Sequence, residues 1–222
     1  GSEMCIRDSR YGRAKQGFTA LQRSDAYRDV VPYYLLQIEF HEGNYRYVVE
    51  NGGKLVQRAV PERRRELERV IAESWFRLGD FNRTIEHLDA FAAAGGELDR
   101  DGSYLMGFSL YRTARYPEAA EYLRRACGAE DALTQNASYH LADCYLRAGD
   151  KRAAMHAFAM AADDRFDATI AEDALFNYGK LQYELGGGAF NGAINVLTRY
   201  VGQYPDSPRV GEARSLLIAA YY

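Results

Sequence analysis

The sequence predicts an all-α solenoid built from antiparallel helix pairs. Two observations carry that prediction: a turn segment that recurs at a fixed interval, and apolar residues spaced three and four positions apart on either side of it. The recurring segments are FHEGNYRYVV, FRLGDFNRTI, YRTARYPEAA and LRAGDKRAAM, whose turn residues Gly43, Gly79, Ala114 and Gly149 lie 36, 35 and 35 positions apart. A fifth copy, YELGGGAFNGAI, carries a glycine insertion at Gly186 to Gly188.

The elements follow in chain order. Gly1 to Ser9, GSEMCIRDS, shows neither helical nor strand period. It is the translation of GGC TCG GAG ATG TGT ATA AGA GAC AG, a string resembling a transposase-end sequencing adapter. Residues 1–9 are therefore expected to be an adapter scar, disordered and outside the fold. The alternative is a disordered native N-terminus. YGRAKQGFTAL then reads as a second helix, with Tyr11 after a lost turn and Ala14, Phe18 and Leu21 on one face. The expected divisions are a half repeat over 10–28, whole repeats over 29–60, 61–98, 99–133, 134–170 and 171–207, and a half repeat over 208–222. On this reading the chain is an internal piece of a longer protein, ending on a first helix, GEARSLLIAAYY.

Within the whole repeats, first helices show Ile71, Ala72, Trp75 and Phe76; Met106, Gly107, Leu110 and Tyr111; Leu141, Ala142, Tyr145 and Leu146; and Tyr178, Gly179 and Tyr183. Second helices carry Ala119, Leu123 and Ala126, and then Ala154, Phe158 and Ala161. Spacings of three and four place each set on one helix face, with small residues where two helices approach closely.

Bulk properties exclude several classes. The 222 residues are 47% apolar and 27% charged, ordinary for a folded globular chain. No run approaches the ~18 apolar residues of a membrane span. The net charge of −3 favours neither a polyanion nor a membrane surface. Apart from Cys5, only Cys127 and Cys144 remain, too few for a disulfide framework or a four-cysteine zinc site. Their helical positions put them about 10 Å or more apart along the axes, beyond disulfide reach, so two separate thiols are expected. His41, His87, His140 and His156 have no metal-ligand spacing and read as surface or packing residues; no metal or cofactor is expected. Phosphate-loop and zinc-protease motifs are absent, and Gly186 to Gly188 reads as a lengthened turn. No catalytic residue is expected.

The small first-helix residues Gly107, Ala142 and Gly179, the turns Gly79-Asp80 and Gly149-Asp150, the aromatics Tyr45, Phe81, Tyr116 and Phe190 after them, the small second-helix residues Ala119, Ala154 and Ala193, and the closing Pro205 resemble the tetratricopeptide repeat family. The resemblance covers essentially all of 10–222 and implies a right-handed superhelical solenoid. The first repeat departs from it, with Leu36 at the small position and Val48 in the second helix, so its packing is expected to be atypical. In this family the first helices line a concave groove. By register the groove receives Tyr33, Gln37, Phe40 and His41; Arg69, Glu73, Phe76 and Arg77; Tyr104, Phe108, Tyr111 and Arg112; Tyr139, Asp143, Leu146 and Arg147; and Phe176, Lys180, Tyr183 and Glu184. Arg77, Arg112 and Arg147 recur every 35 residues and are expected to form a ladder.

Aromatic and Arg side chains together suit protein partners, since they offer large contact area and planar hydrogen bonding. The competing reading packs the aromatics between repeats and leaves the arginines solvated at the rim. Nucleic acid is not expected, because Glu73, Asp143 and Glu184 interrupt the ladder. The family's Lys/Asn clamp for a C-terminal carboxylate is missing, with Tyr33, Tyr104 and Tyr139 at the Lys places and Gln37, Glu73 and Phe108 at the Asn places. VLTRYVGQYPDSPRVGEARSLLIAAYY, with its Tyr204-Pro205-Asp206-Ser207 closing stretch, resembles bacterial cell-envelope members of the family, of the outer-membrane assembly lipoprotein and Tol-Pal coordinator type. The resemblance implies a non-catalytic scaffold binding a peptide or partner helix, in the periplasm or at the outer membrane; the alternatives are a cytoplasmic setting, or an adaptor arm of a larger enzyme or signalling protein.

Overall fold

The computed structural model describes residues 2–21, 27, 30–163 and 165–222, with side chains from Gly12 onward. Its helices are α1 (Ser2–Leu21), α2 (Val31–His41), α3 (Tyr45–Val56), α4 (Pro61–Leu78), α5 (Phe81–Ala93), α6 (Arg100–Arg112), α7 (Tyr116–Ala126), α8 (Ala132–Arg147), α9 (Lys151–Asp163), α10 (Ala168–Leu185), α11 (Asn191–Gln203) and α12 (Val210–Tyr221). No strand occurs among the described residues. Two compact bodies divide the chain, Gly1–Leu98 and Asp99–Tyr222. In each, consecutive helices pack on one another, and the fold class is the all-α stack of helix pairs that the repeat pattern predicts.

α1 begins within the first nine residues. It runs through Ser2 to Ser9, the segment expected to be disordered. Nothing in SEMCIRDS breaks a helix: it holds neither Gly nor Pro. The side chains of Cys5 and Tyr11 and the division expected between residues 28 and 29 lie outside the described residues.

The aligned turns share one backbone solution. Gly43, Gly79, Ala114 and Gly149 all take positive φ, at 82°, 81°, 62° and 81°. The residue after each donates its N–H to a carbonyl five positions back: Asn44 to Glu39, Asp80 to Trp75, Arg115 to Leu110 and Asp150 to Tyr145, at 2.8–3.0 Å. This is the left-handed helix stop that absorbs otherwise unpaired terminal carbonyls. Aspartates then start the next helices. Asp80, Asp99, Asp131, Asp150 and Asp167 each accept a backbone N–H from the first turn of α5, α6, α8, α9 and α10. Such caps contribute about 1 kcal/mol each. The fifth turn is longer, with Gly187 and Gly188 at φ 54° and 102°.

Ala114 is the one non-glycine residue at positive φ among those described. A Cβ there costs about 1–2 kcal/mol, against about 0.4–1 kcal/mol of extra unfolded-state freedom that glycine brings. Ala114→Gly is therefore expected to stabilise the chain by roughly 0.5–1 kcal/mol. An unchanged or lowered urea midpoint would show that the turn carries no strain.

The cores of the two bodies differ in how they bring helices together. From Asp99 on, small residues form the seams: Gly102, Gly107, Ala119, Ala126, Ala142, Ala154, Ala161, Gly179 and Ala193 are all buried. In the first body Leu36 and Val48 are fully buried with Leu67 and Ile71. The small residues there are Ala72 on α4, fully buried, and Gly52 on α3, where an added Cβ would lie 2.6 Å from the Ile71 side chain. The close approach at Gly52 is thus between α3 and α4, the seam into the next repeat, while the large Leu36 and Val48 fill the core of the first repeat.

Candidate partner-binding face

At four of the five turns an aromatic residue at the end of the first helix meets an aromatic residue at or just before the start of the next. Phe40 packs edge-on against Tyr45, Phe76 against Phe81, and Tyr111 against Tyr116, with ring centroids 5.8–5.9 Å apart; Tyr183 stacks on Phe190 at 5.0 Å. The same residues that define the repeat therefore clasp its turn. The fourth repeat has Leu146 and Lys151 at these places, and Arg147 instead lies over the Tyr116 ring at 4.7 Å.

Tyrosine hydroxyls then tie one first helix to the next. Tyr111 donates to Asp143 at 2.8 Å and Tyr139 to Asp173 at 2.7 Å. In the first body Tyr33 donates to Glu66. Burial, together with the neighbouring carboxylate, pushes the Tyr33 and Tyr111 hydroxyls up to about 12, and Tyr139 is raised for the same reasons. These tyrosines remain neutral donors throughout the physiological range. Their partners lie 33, 32 and 34 positions downstream, close to the repeat length. That near-coincidence was the signal available in the sequence, and it explains part of the high tyrosine count.

The densest cluster lies in the second body. Tyr104 stacks on Phe108 at 5.8 Å, and the Arg112 guanidinium lies over Phe108 at 5.8 Å. His140 sits against Phe108, Tyr111 and Tyr139, with centroids at 4.9, 4.8 and 5.5 Å. Its Nδ1 is buried with no hydrogen-bond partner among the described residues. Burial lowers its pKa from 6.5 to about 4, aided by the Arg112 charge and opposed by Asp143. Asp143 also accepts from Arg147 Nε at 2.8 Å. In the sequence His140 is one scattered histidine among four; only the packing of α6 against α8 shows that rings surround it.

The other groove residues fall as follows. Gln37 is half-buried and His41 exposed; Arg69 and Arg77 are exposed, with Arg77 3.4 Å from Glu73. Lys180 pairs with Glu212 of α12 at 3.0 Å, and Glu184 with Lys151 at 2.7 Å; Leu146 is half-buried. Phe176 does not line a groove. It is 3% exposed, packed against Tyr200 at 5.4 Å and covered by Arg209 at 5.2 Å. Its register one turn before Lys180 is unchanged, but Tyr200 of α11 and Arg209 before α12 cover it. Arg112 and Arg147 lie in one body and Arg77 in the other. Cys127 donates its S–H to the Leu123 carbonyl at 3.3 Å, and burial pushes the Cys144 thiol up to about 12, so Cys144 is an inert packing residue. Among the described residues no cluster of potential metal ligands forms, and no helix is long and apolar enough to cross a membrane. Gln135, fully buried, bonds Ala161 and Asp167 backbone groups at 2.7–3.2 Å and locks the start of α8 to that of α10.

Against known families, residues 136–164 and 173–207 match the tetratricopeptide repeat model. These two segments, most of α8–α9 and α10–α11, are thus similar to tetratricopeptide repeats, and the positive-φ turn seen at Gly149 recurs at Gly43, Gly79 and Ala114 outside them. Solved structures extend the likeness over most of the chain. YrrB, described as a TPR protein with an unusual peptide-binding site, aligns with a TM-score of 0.68 at 16% identity over 89% of this chain and 97% of its own. A MamA protein gives 0.59 at 17% identity, over 81% and 93%. The C-terminal part of a TPR repeat-containing protein from Cytophaga hutchinsonii gives 0.54 at 11% identity, over 98% and 93%. These identities speak for the tetratricopeptide fold alone. No curated protein sequence matches the chain.

Proposed function

We infer that the chain is a non-catalytic interaction scaffold whose second body holds a peptide or partner helix against α6 and α8. The observation that carries this is the cluster of Tyr104, Phe108, Tyr111 and His140, flanked by the exposed guanidiniums of Arg112 and Arg147. Planar rings held by their neighbours lose little entropy on binding, and guanidiniums add directional contacts at the edge. YrrB's peptide-binding site shows that this fold can serve such a purpose. Asp143, the acid beside the cluster, already accepts from both Tyr111 and Arg147, which leaves the face suited to an acidic or carbonyl-rich partner. An envelope setting is part of the same reading; it rests on the likeness of Tyr204 to Ser207 and the following helix to envelope repeats, and cell fractionation of the parent protein tests it.

A random peptide library selected against the whole chain tests the binding face. The selected peptides are expected to bind Arg112→Glu about tenfold or more weakly, since the change replaces an attractive charge by a repulsive one at the cluster edge. Arg112 is exposed, so helicity should be unchanged. Equal affinity for the variant would remove the partner from α6 and α8.

A further inference from the structure

A concavity of about 470 Å³ lies in the first body, between α3 and the junction of α4 with α5. None of the residues that register places in a groove lines it. Its apolar floor is Val49 of α3 with Trp75 and Leu78 of α4. Trp75, the only tryptophan in the chain, is half-buried, and Leu78 is exposed. The α5 edge is already occupied: the Arg83 guanidinium lies 4.3 Å over the indole, with its Nε 3.5 Å from Asp80. The α3 edge is not. Arg46 and Glu50 stand there one turn apart, both exposed, and neither makes a hydrogen bond or ion pair among the described residues. Arg46 and Arg83 balance Glu50 and Asp80, so the lining is neutral overall and selects neither a bare anion nor a bare cation. Arg46, Val49, Glu50 and Gly53 share one face of α3, being three and four positions apart. Gly53 is exposed, and a Cβ added there would meet nothing within 4 Å. Glycine weakens a helix interior. The Ile71 side chain requires its neighbour Gly52, but no atom of the described residues requires Gly53. What an exposed glycine offers is close approach by a second backbone.

We propose that this face docks an amphipathic helix of a partner protein that carries an acid and a base one turn apart, with a large apolar residue within that turn. The apolar side chain rests on Val49, Trp75 and Leu78. The acid pairs with Arg46 and the base with Glu50, and the partner backbone passes close to Gly53. In a helix, positions i, i+3 and i+4 share a face, so the two charges and the anchor all point the same way. In an extended strand, a residue between two charges on one face points to the other. Opposite charges in a fixed order set the register and reject a partner with the reverse order. A tryptophan held in place by an arginine is the kind of anchor on which interface energy concentrates. The site belongs to the first body and is independent of the Phe108 cluster; Arg112→Glu should leave it intact.

The test uses the full chain and a library of synthetic, tryptophan-free helical peptides randomised on one face. Because the chain has a single tryptophan, Trp75 fluorescence reads binding at this face directly. Selected peptides are expected to shift its emission to the blue as water leaves the indole, and to carry the acid, apolar residue and base in the stated order. Arg46→Glu with Glu50→Arg should weaken them by about tenfold or more, and peptides with their own acid and base exchanged should recover the binding. Both positions are exposed, so helicity should be unchanged. Gly53→Gln should raise the urea midpoint, since it removes a helix-weakening residue, and yet weaken the peptides. The proposal is overturned if no helical peptide moves Trp75 emission, if the charge-exchanged chain binds the original peptides as tightly as the parent, or if Gly53→Gln binds them undiminished. A dimer whose dissociation on dilution shifts Trp75 emission would give the face to a second copy of the chain and overturn it equally.

Discussion

Lowering the pH from 7 to 5 is expected to cost the chain about 2 kcal/mol through His140 alone. The imidazole is held among three rings with Nδ1 unpaired, and its folded pKa falls to about 4 from 6.5. The unfolded chain therefore binds a proton that the folded chain refuses. The contribution is complete above 6.5 and is lost progressively as pH falls toward 4. Urea midpoints at pH 7 and 5 measure the total change, and His140→Phe, which keeps a ring and removes the titration, isolates the part owed to this residue. The variant should lose less stability over that interval than the parent, by about 2 kcal/mol. An NMR titration of the His140 ring gives a second reading, with a midpoint near 4 expected. Parallel stability losses in parent and variant, or an ordinary midpoint, would mean that water or a partner reaches Nδ1.

His140 also shows where the sequence stopped being legible. The repeat, the positions of its turns and the helical class were readable because each depends on local chemistry: glycine at positive φ, aspartate at helix starts, apolar residues three and four apart. The aromatics flanking each turn were aligned correctly as recurring residues, yet their function as a clasp requires knowing that positions such as 76 and 81 meet after the chain reverses. The ties from Tyr111 to Asp143 and Tyr139 to Asp173 cross between repeats, and register alone could not separate a ring facing solvent from one donating to a carboxylate. Phe176 marks the limit most clearly. It holds the same repeat position as Tyr104 and Tyr139, three residues before the buried Gly179, Gly107 and Ala142, yet Tyr200 and Arg209 cover it, and the periodicity of one helix cannot show what a neighbouring segment covers. The candidate face was thus legible as a set of residue types, and illegible as a division between binding and packing.

The seams between paired helices give the second large expectation, because two glycines at the same repeat position should respond differently. At Gly107 an added Cβ would lie 2.9 Å from the backbone nitrogen of Leu123 and 2.9 Å from its Cγ. At Gly179 the nearest atoms are the Leu197 Cδ2 and Cγ at 2.8 and 3.0 Å and Val196 Cγ1 at 3.2 Å, all side chain. In either helix, Gly→Ala gains about 1 kcal/mol from the lower entropy of the unfolded chain. Against this, overpacking costs about 1–3 kcal/mol where neighbours cannot yield. A backbone nitrogen inside α7 can move only if the whole helix shifts, whereas Leu197 can rotate. Gly107→Ala is therefore expected to destabilise by about 1–2 kcal/mol and Gly179→Ala to stay within about 1 kcal/mol of the parent. A double-mutant cycle sharpens the contrast. Leu197→Ala should relieve most of the cost of Gly179→Ala, whereas Leu123→Ala should relieve little of the cost of Gly107→Ala, since the nitrogen remains. Equal costs at the two glycines, or full relief by Leu123→Ala, would show that α6 and α7 slide apart freely and that the seam is set by side chains alone.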